Sequence, residues 1–167
     1  MNYRHRLIEA KVRKLKDHFP VIVLTGARQV GKSTLLSYLF GKDCKHIIFD
    51  PVTDEFGVRR DPEFFLQQHQ TPLILDEIQY APELIAVIKK KIDKDRTPGQ
   101  FLLTGSQNLS VIKSISESMA GRAVILDVDV MTMPERRGIP EKGLCTWLEQ
   151  ILNAGNKSVN LQKFKET

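Results

Sequence analysis

Gly26-Ala27-Arg28-Gln29-Val30-Gly31-Lys32-Ser33 sets four residues between two glycines and follows the second with a lysine and a hydroxyl. Glycines at those places let the backbone bend until successive N–H groups converge as an anion nest, and a helix starting there adds the positive end of its dipole. A lysine after the second glycine brings a point charge to the outer phosphates, and the hydroxyl beside it is a magnesium ligand. The chemistry expected of Gly26, Ala27, Arg28, Gln29, Val30, Gly31, Lys32, Ser33 and Thr34 is therefore the binding of ATP with Mg²⁺.

Leu73-Ile74-Leu75 ends in two adjacent carboxylates, Asp76 and Glu77. A strand that terminates beside the phosphate loop aims the first carboxylate at the magnesium shell, next to Ser33. The second, one residue on, is placed to polarise a water in line with the γ-phosphate. This pair points to hydrolysis; the plainer reading is that it caps the helix that follows. Phe101-Leu102-Leu103-Thr104-Gly105-Ser106 is a further apolar run ending in hydroxyls, with Ser106 the first choice and Thr104 the second for a group that senses the γ-phosphate. An ordinary N-cap explains Ser106 equally well. Arg122, between a helix and an apolar run, is a candidate arginine finger for a phosphate bound by a neighbouring subunit.

These groups need a scaffold that brings several strand ends together. Short apolar runs at Val21–Leu24, His46–Asp50, Leu73–Leu75, Phe101–Thr104 and Ala123–Val128 read as five strands, the first two as buried ones. Helical patterns lie between them: 33–40, a short helix from Pro62, a helix opened by Pro82 with Leu84, Ile85, Ile88 and Ile92 on one side, and one with Leu109, Ile112, Ile115 and Met119. Strands alternating with helices imply an α/β fold, a parallel five-stranded sheet sandwiched between helices, with ligands at the carboxyl ends of the strands. Leu144, Trp147, Leu148, Ile151 and Leu152 suggest one last amphipathic helix, followed by a frayed tail.

The 167 residues, 41% hydrophobic and 27% charged, have the profile of an ordinary globular domain with no need of disulfides. Cys44 and Cys145 form no C-x-x-C pattern and the four histidines have no ligand spacing, which argues against a zinc site. Apolar stretches fall short of the ~20 residues that span a bilayer, and the first residues lack the apolar core of a signal peptide, so no membrane partner and a cytoplasmic location are expected. Residues 1–19 hold six of the cations against Glu9 and Asp17. Ile8, Val12, Leu15 and Phe19 make an apolar stripe there, so the cations read as the wet face of an amphipathic helix, with a nucleic-acid patch the weaker alternative.

Phe19 to Thr34, Pro72-Leu73-Ile74-Leu75-Asp76-Glu77-Ile78-Gln79, Ala81-Pro82-Glu83-Leu84, Gly99 to Gln107 and Ala120-Gly121-Arg122 together resemble the bacterial and archaeal AAA-domain ATPases that usually carry a second domain, DUF4143. The resemblance implies an AAA+ type P-loop fold, ATP as ligand, and Lys32, Ser33, Asp76 and Glu77 as working residues. It covers about residues 4–128; 127–140 match poorly. The expected organisation is an ATP-binding core over 1–130 and a short segment over 131–167, the chain being truncated relative to members that continue into a helical lid and second domain. Two functions remain: an ATPase core, or a non-catalytic nucleotide-binding module. A homo-oligomer, or a partner domain that completes the site, is expected with either.

Overall fold

The computed structural model describes residues 3–54, 57–106 and 109–138, with the backbone alone at 109–112 and 114. They fall into two units, Ile8–Val130 and the terminal segments Met1–Leu7 with Met131–Thr167.

In the larger unit the strands are β1 (Val21–Thr25), β2 (Lys45–Ile48), β3 (Leu73–Asp76), β4 (Phe101–Thr104) and β5 (Ala123–Asp127). The helices are α1 (Glu9–Lys16), α2 (Lys32–Phe40), α3 (Pro62–Gln68), α4 (Leu84–Lys94) and α5 (Leu109–Ser118). All strand pairs are parallel, in the order β2-β3-β4-β1-β5. The expected α/β class, with five parallel strands, is what the chain adopts. β4 lies between the strand that leads into the glycine loop and the strand that ends in Asp76, so three strand ends meet at one place.

Burial explains which runs were easily read. Every residue of β1, β3 and β4 is buried, so each is apolar on both faces. One face carries Val21, Val23, Leu73, Leu75, Phe101 and Leu103 into a cluster with Leu84, Ile88 and Ile92 of α4 and Phe65 of α3. Because side chains alternate along a strand, Ile22, Leu24, Ile74 and Leu102 point to the other face, where α2 buries Leu35, Leu36 and Leu39. β2 departs from the expectation of a buried strand: it is at the sheet edge, and Ile48 is 60% exposed. Its short apolar run has the same composition as a central strand, and composition does not encode position in the sheet.

Local signals set several element ends. Asp61 caps α3, its carboxylate accepting from the Phe64 N–H at 2.9 Å, with Pro62 in the first turn where its missing N–H costs nothing. α4 starts later than the Pro82 signal suggests, because a 3-10 turn over Ile78–Tyr80 and a further turn intervene after β3. In α1 only Val12 of the expected stripe is fully buried, and the cations Arg13 and Lys16 lie 5.8 and 5.0 Å from the centre of the Phe40 ring. Their charged heads are therefore within cation–π range of the Phe40 ring.

In the smaller unit α6 (Met133–Arg136) begins with a capping box between Thr132 and Glu135. Glu135 also accepts from Arg6 Nε at 3.1 Å and from the Leu7 N–H at 2.7 Å. Burial alone would raise this carboxyl, but the donors from Leu7, Thr132 and Arg6 outweigh it and hold Glu135 below its usual range. Arg6 was expected on the wet face of the first helix; instead it precedes α1 and is buried on Glu135, a partner 129 residues away that no periodicity could reveal. The expected helix over Leu144–Leu152 and the expected frayed tail lie outside the described residues. Among those described, no helix is long and apolar enough to cross a membrane.

Ile88 is fully buried between α4 and the sheet. Ile88→Ala is expected to lower the unfolding free energy by about 2–5 kcal/mol through lost transfer energy and a cavity, whereas Ile48→Ala on the exposed edge should cost under about 1 kcal/mol. Urea unfolding of both variants measures the contrast, and equal losses would contradict this placement of the core.

Candidate nucleotide site

The glycine loop leaves β1 through a constrained passage. Gly26 has φ +140°, and a Cβ there would stand 2.2 Å from the Val128 carbonyl oxygen. No side chain fits that gap. Thr25 ties the same point to β5, its hydroxyl lying 3.2 Å from Asp127 Oδ1 while its carbonyl accepts from the Val128 N–H at 2.8 Å. Ala27, Arg28 and Gln29 form the exposed tip, with Gln29 in left-handed geometry at φ 63°, and Val30 turns back into the interior. Arg28 reaches the Tyr80 hydroxyl at 3.4 Å.

Gly31, at φ 93°, is the N-cap of α2 and has no side chain to offer the amides of the first turn. Those amides have no carbonyl one turn earlier either, which leaves them directed at the loop's concavity. Lys32, 6% exposed, curls beneath the loop and donates from Nζ to the carbonyls of Gly26 at 3.0 Å and Ala27 at 2.8 Å. Thr34 is exposed on the same turn.

Ser33 meets the end of β3. Its hydroxyl donates to Asp76 Oδ1 at 2.8 Å, so the helix after the loop and the acidic strand are joined at the two residues expected to share a metal. Thr104 donates to the same oxygen from β4 and accepts from the Glu77 N–H at 3.2 Å. A hydroxyl has one proton and two lone pairs, and Thr104 uses both kinds of site on these neighbours. Of the two hydroxyls weighed as sensors, it is thus Thr104 that touches the acidic pair. Ser106 is half-buried two residues further on, where its backbone N–H donates to Gln79 Oε1 at 3.3 Å.

Glu77 has left-handed backbone geometry, φ 58° and ψ 46°, which turns the chain sharply after β3. It is not the N-cap of α4, which begins seven residues later. Its carboxylate accepts from Gln79 Nε2. Asp76, 4% exposed, presents its second oxygen to His46 Nε2 of β2 at 3.5 Å, a contact not aligned as a hydrogen bond, while His46 Nδ1 lies 3.0 Å from Ser37 Oγ.

Sequence reasoning passed over His46 and Gln79 as neighbours of the acidic pair. His46 has no motif, and only the strand order puts β2 beside β3. Gln79 ends the Pro72–Gln79 run that resembles the family, so its signal was present without a role.

Arg122 is not brought to this site. Its carbonyl accepts from the N–H of Val21, the first residue of β1, whereas the loop leaves the other end of that strand, about 13 Å away at ~3.3 Å per residue. There its guanidinium binds Asp93 Oδ1 at 2.5 Å and the Ala120 carbonyl at 3.3 Å.

A glycine loop opening a helix, its lysine beneath and its serine on the acid that ends a strand two places away in the sheet, is the arrangement of a P-loop nucleotide site. A family model described as an AAA domain matches residues 18–136. The chain belongs to the AAA domain family. Membership supports nucleotide binding by this domain. Among relatives, an uncharacterised protein of Mycobacterium bovis and one of Mycobacterium tuberculosis are each 34% identical over 125 residues, which is 74% of this chain and 28% of theirs. The chain thus spans little more than a quarter of the length of these curated relatives. The solved structure of a Walker-type ATPase from Pyrococcus abyssi is similar in fold, with a TM-score of 0.53 and 17% identity over 84% of this chain and 57% of that one.

Gly26→Ala should be the most damaging single methyl in the AAA domain's loop, because the added atom meets backbone. Nucleotide affinity is expected to fall at least tenfold, with a stability loss of roughly 1–3 kcal/mol. Titration with a fluorescent nucleotide checks the first, and wild-type affinity would mean that the loop opens away from Val128.

Proposed function

We propose that this AAA domain binds Mg-ATP and hydrolyses it to ADP and phosphate. The observation that carries the reading is the 2.8 Å bond between Ser33 Oγ and Asp76 Oδ1, which puts the hydroxyl after the phosphate loop against the first of two carboxylates. Two hard oxygen donors at that separation suit magnesium, whose triphosphate sites use one or two protein oxygens and complete the shell with phosphate and water. Ser33 and Asp76 would hold the ion, and when bound it would neutralise charge on the outer phosphates.

The chain's own residues supply the rest. Amides of the Gly26–Thr34 loop bind the phosphates, and Lys32 exchanges loop carbonyls for phosphate oxygens, which its Nζ can reach because it already lies beneath the loop. Glu77, one residue past Asp76, orients a water and accepts its proton. Thr104 bridges the Asp76 carboxylate and the Glu77 backbone, with Asp76 on its proton and the Glu77 amide on its lone pair. Ser106 and Thr104 both remain candidates for contact with the γ-phosphate. A second domain and a lid, beyond the span shared with the relatives, belong to this proposal as expectations.

Glu77→Gln is expected to reduce Mg²⁺-dependent phosphate release by roughly a hundredfold or more while ATP affinity stays within about twofold. Lys32→Ala should lose binding itself. Turnover that survives Glu77→Gln would remove Glu77 from the mechanism, and binding without hydrolysis at every protein concentration would favour a nucleotide-binding module instead.

Arg122 enters the proposal only as a residue acting on a neighbouring copy, since its own loop is at the opposite end of β1. Specific activity should then rise with protein concentration, and Arg122→Ala should abolish the rise, with a loss on the order of a thousandfold if the guanidinium stabilises the transition state. Activity independent of concentration and unchanged in Arg122→Ala would leave the arginine as Asp93's partner alone.

A further inference from the structure

Gln79 occupies a place that the phosphate loop and the acidic pair do not explain. It lies in the 3-10 turn after β3, half-buried, with each end of its amide engaged. The Ser106 N–H can only donate, so the atom it faces at 3.3 Å must be the amide oxygen. That bond fixes the orientation of the amide and turns Nε2 to Glu77, where it donates to Oε2.

The surroundings are shaped around this side chain. A Cβ on Gly105 would stand 3.2 Å from Gln79 Oε1, tighter than an ordinary contact, so glycine there gives the amide its room. Glu77 is meanwhile held by its backbone, which bends through φ 58° and donates from its N–H to Thr104 Oγ1. A glutamate has a long, rotamer-rich side chain, and fixing its backbone leaves the carboxylate free to wander. Gln79 supplies the missing restraint through a bond to a charged acceptor, a stronger kind than one between neutral groups. The result is a continuous chain of contacts from Ser33 through Asp76, Thr104, Glu77 and Gln79 to the Ser106 amide.

We propose that Gln79 is a positioning residue for hydrolysis, holding the Glu77 carboxylate on the attacking water and linking it to the backbone that follows β4. The inference rests on the reading of Glu77 as the group that orients water. Through the Ser106 amide, a shift of the strand end that faces the γ-phosphate is passed to the carboxylate, so alignment of the base depends on the state of that strand end.

Two substitutions separate the halves of the amide. Gln79→Glu keeps an oxygen for the Ser106 N–H and removes the donor to Glu77, while Gln79→Met, of similar length, removes both. Turnover, nucleotide affinity and amide hydrogen exchange at Ser106 are measured in the full chain, beside Glu77→Gln. Both Gln79 variants are expected to lose roughly ten- to a hundredfold in kcat, with ATP affinity within about twofold. Exchange at Ser106 should quicken in Gln79→Met and stay slow in Gln79→Glu. Wild-type kcat in either variant, or a loss confined to ATP affinity, would overturn the proposal. If Glu77→Gln itself hydrolyses ATP normally, the reading of Glu77 fails first; if Glu77→Gln is inactive and Gln79→Glu is not, only the role of Gln79 falls.

Discussion

A carboxylate buried at the end of a strand must be met by donors, since an unpartnered charge in that environment costs several kcal/mol. Asp76 is met by two hydroxyls on one oxygen, Ser33 from the start of α2 and Thr104 from the end of β4. That shared atom ties together the helix after the glycine loop, the acidic strand and the strand between them. The strand order makes it feasible, because the register pairing Leu75 with Leu103 brings Asp76 and Thr104 level across adjacent strands. Moving β4 elsewhere in the sheet would separate all three groups.

The parallel sheet also sorts the chain's polar groups into two ends. At the carboxyl ends lie the loop, Lys32, Asp76, Glu77 and Thr104; at the amino ends lie Arg122 and its partner Asp93. Such segregation follows from parallel connections, in which every strand delivers its loop to the same edge. A role for the arginine in phosphate chemistry therefore requires a second copy of the chain. The loop's own shape depends on β5, whose continuation at Val128 fills the space where any Gly26 side chain would go.

Residue patterns alone made much of this visible. β1, β3 and β4 are buried on both faces, so their apolar runs are uninterrupted and their ends are marked by the change to Gly26, Glu77 and Gly105. The eight-residue glycine motif is local, and its geometry needs only the strand before it and the helix after it. β2 was harder: Ile47 and Ile48 look alike in a sequence, yet they point to opposite faces of the edge strand, and only Ile47 packs into the core cluster. The contact of Thr104, rather than Ser106, with the acidic pair was also beyond a one-dimensional reading, because it turns on which hydroxyl shares a level with Asp76. Gln79 and His46 acquired significance only from the side chains facing them.

What the sequence by itself determined was the class of fold, the order of elements, and the glycine loop that runs from β1 into α2 with Lys32 and Ser33 at its end. These rest on short-range physics: periodicity, glycine geometry and the chemistry that each side chain carries wherever it lies. Tertiary structure decided the strand order, the contact of Thr104 with the acidic pair, the hold of Gln79 on Glu77, the pairing of Arg6 with Glu135, and the remoteness of Arg122. Each depends on residues distant in the chain meeting at hydrogen-bond range, and strand order and register, rather than local pattern, govern such meetings.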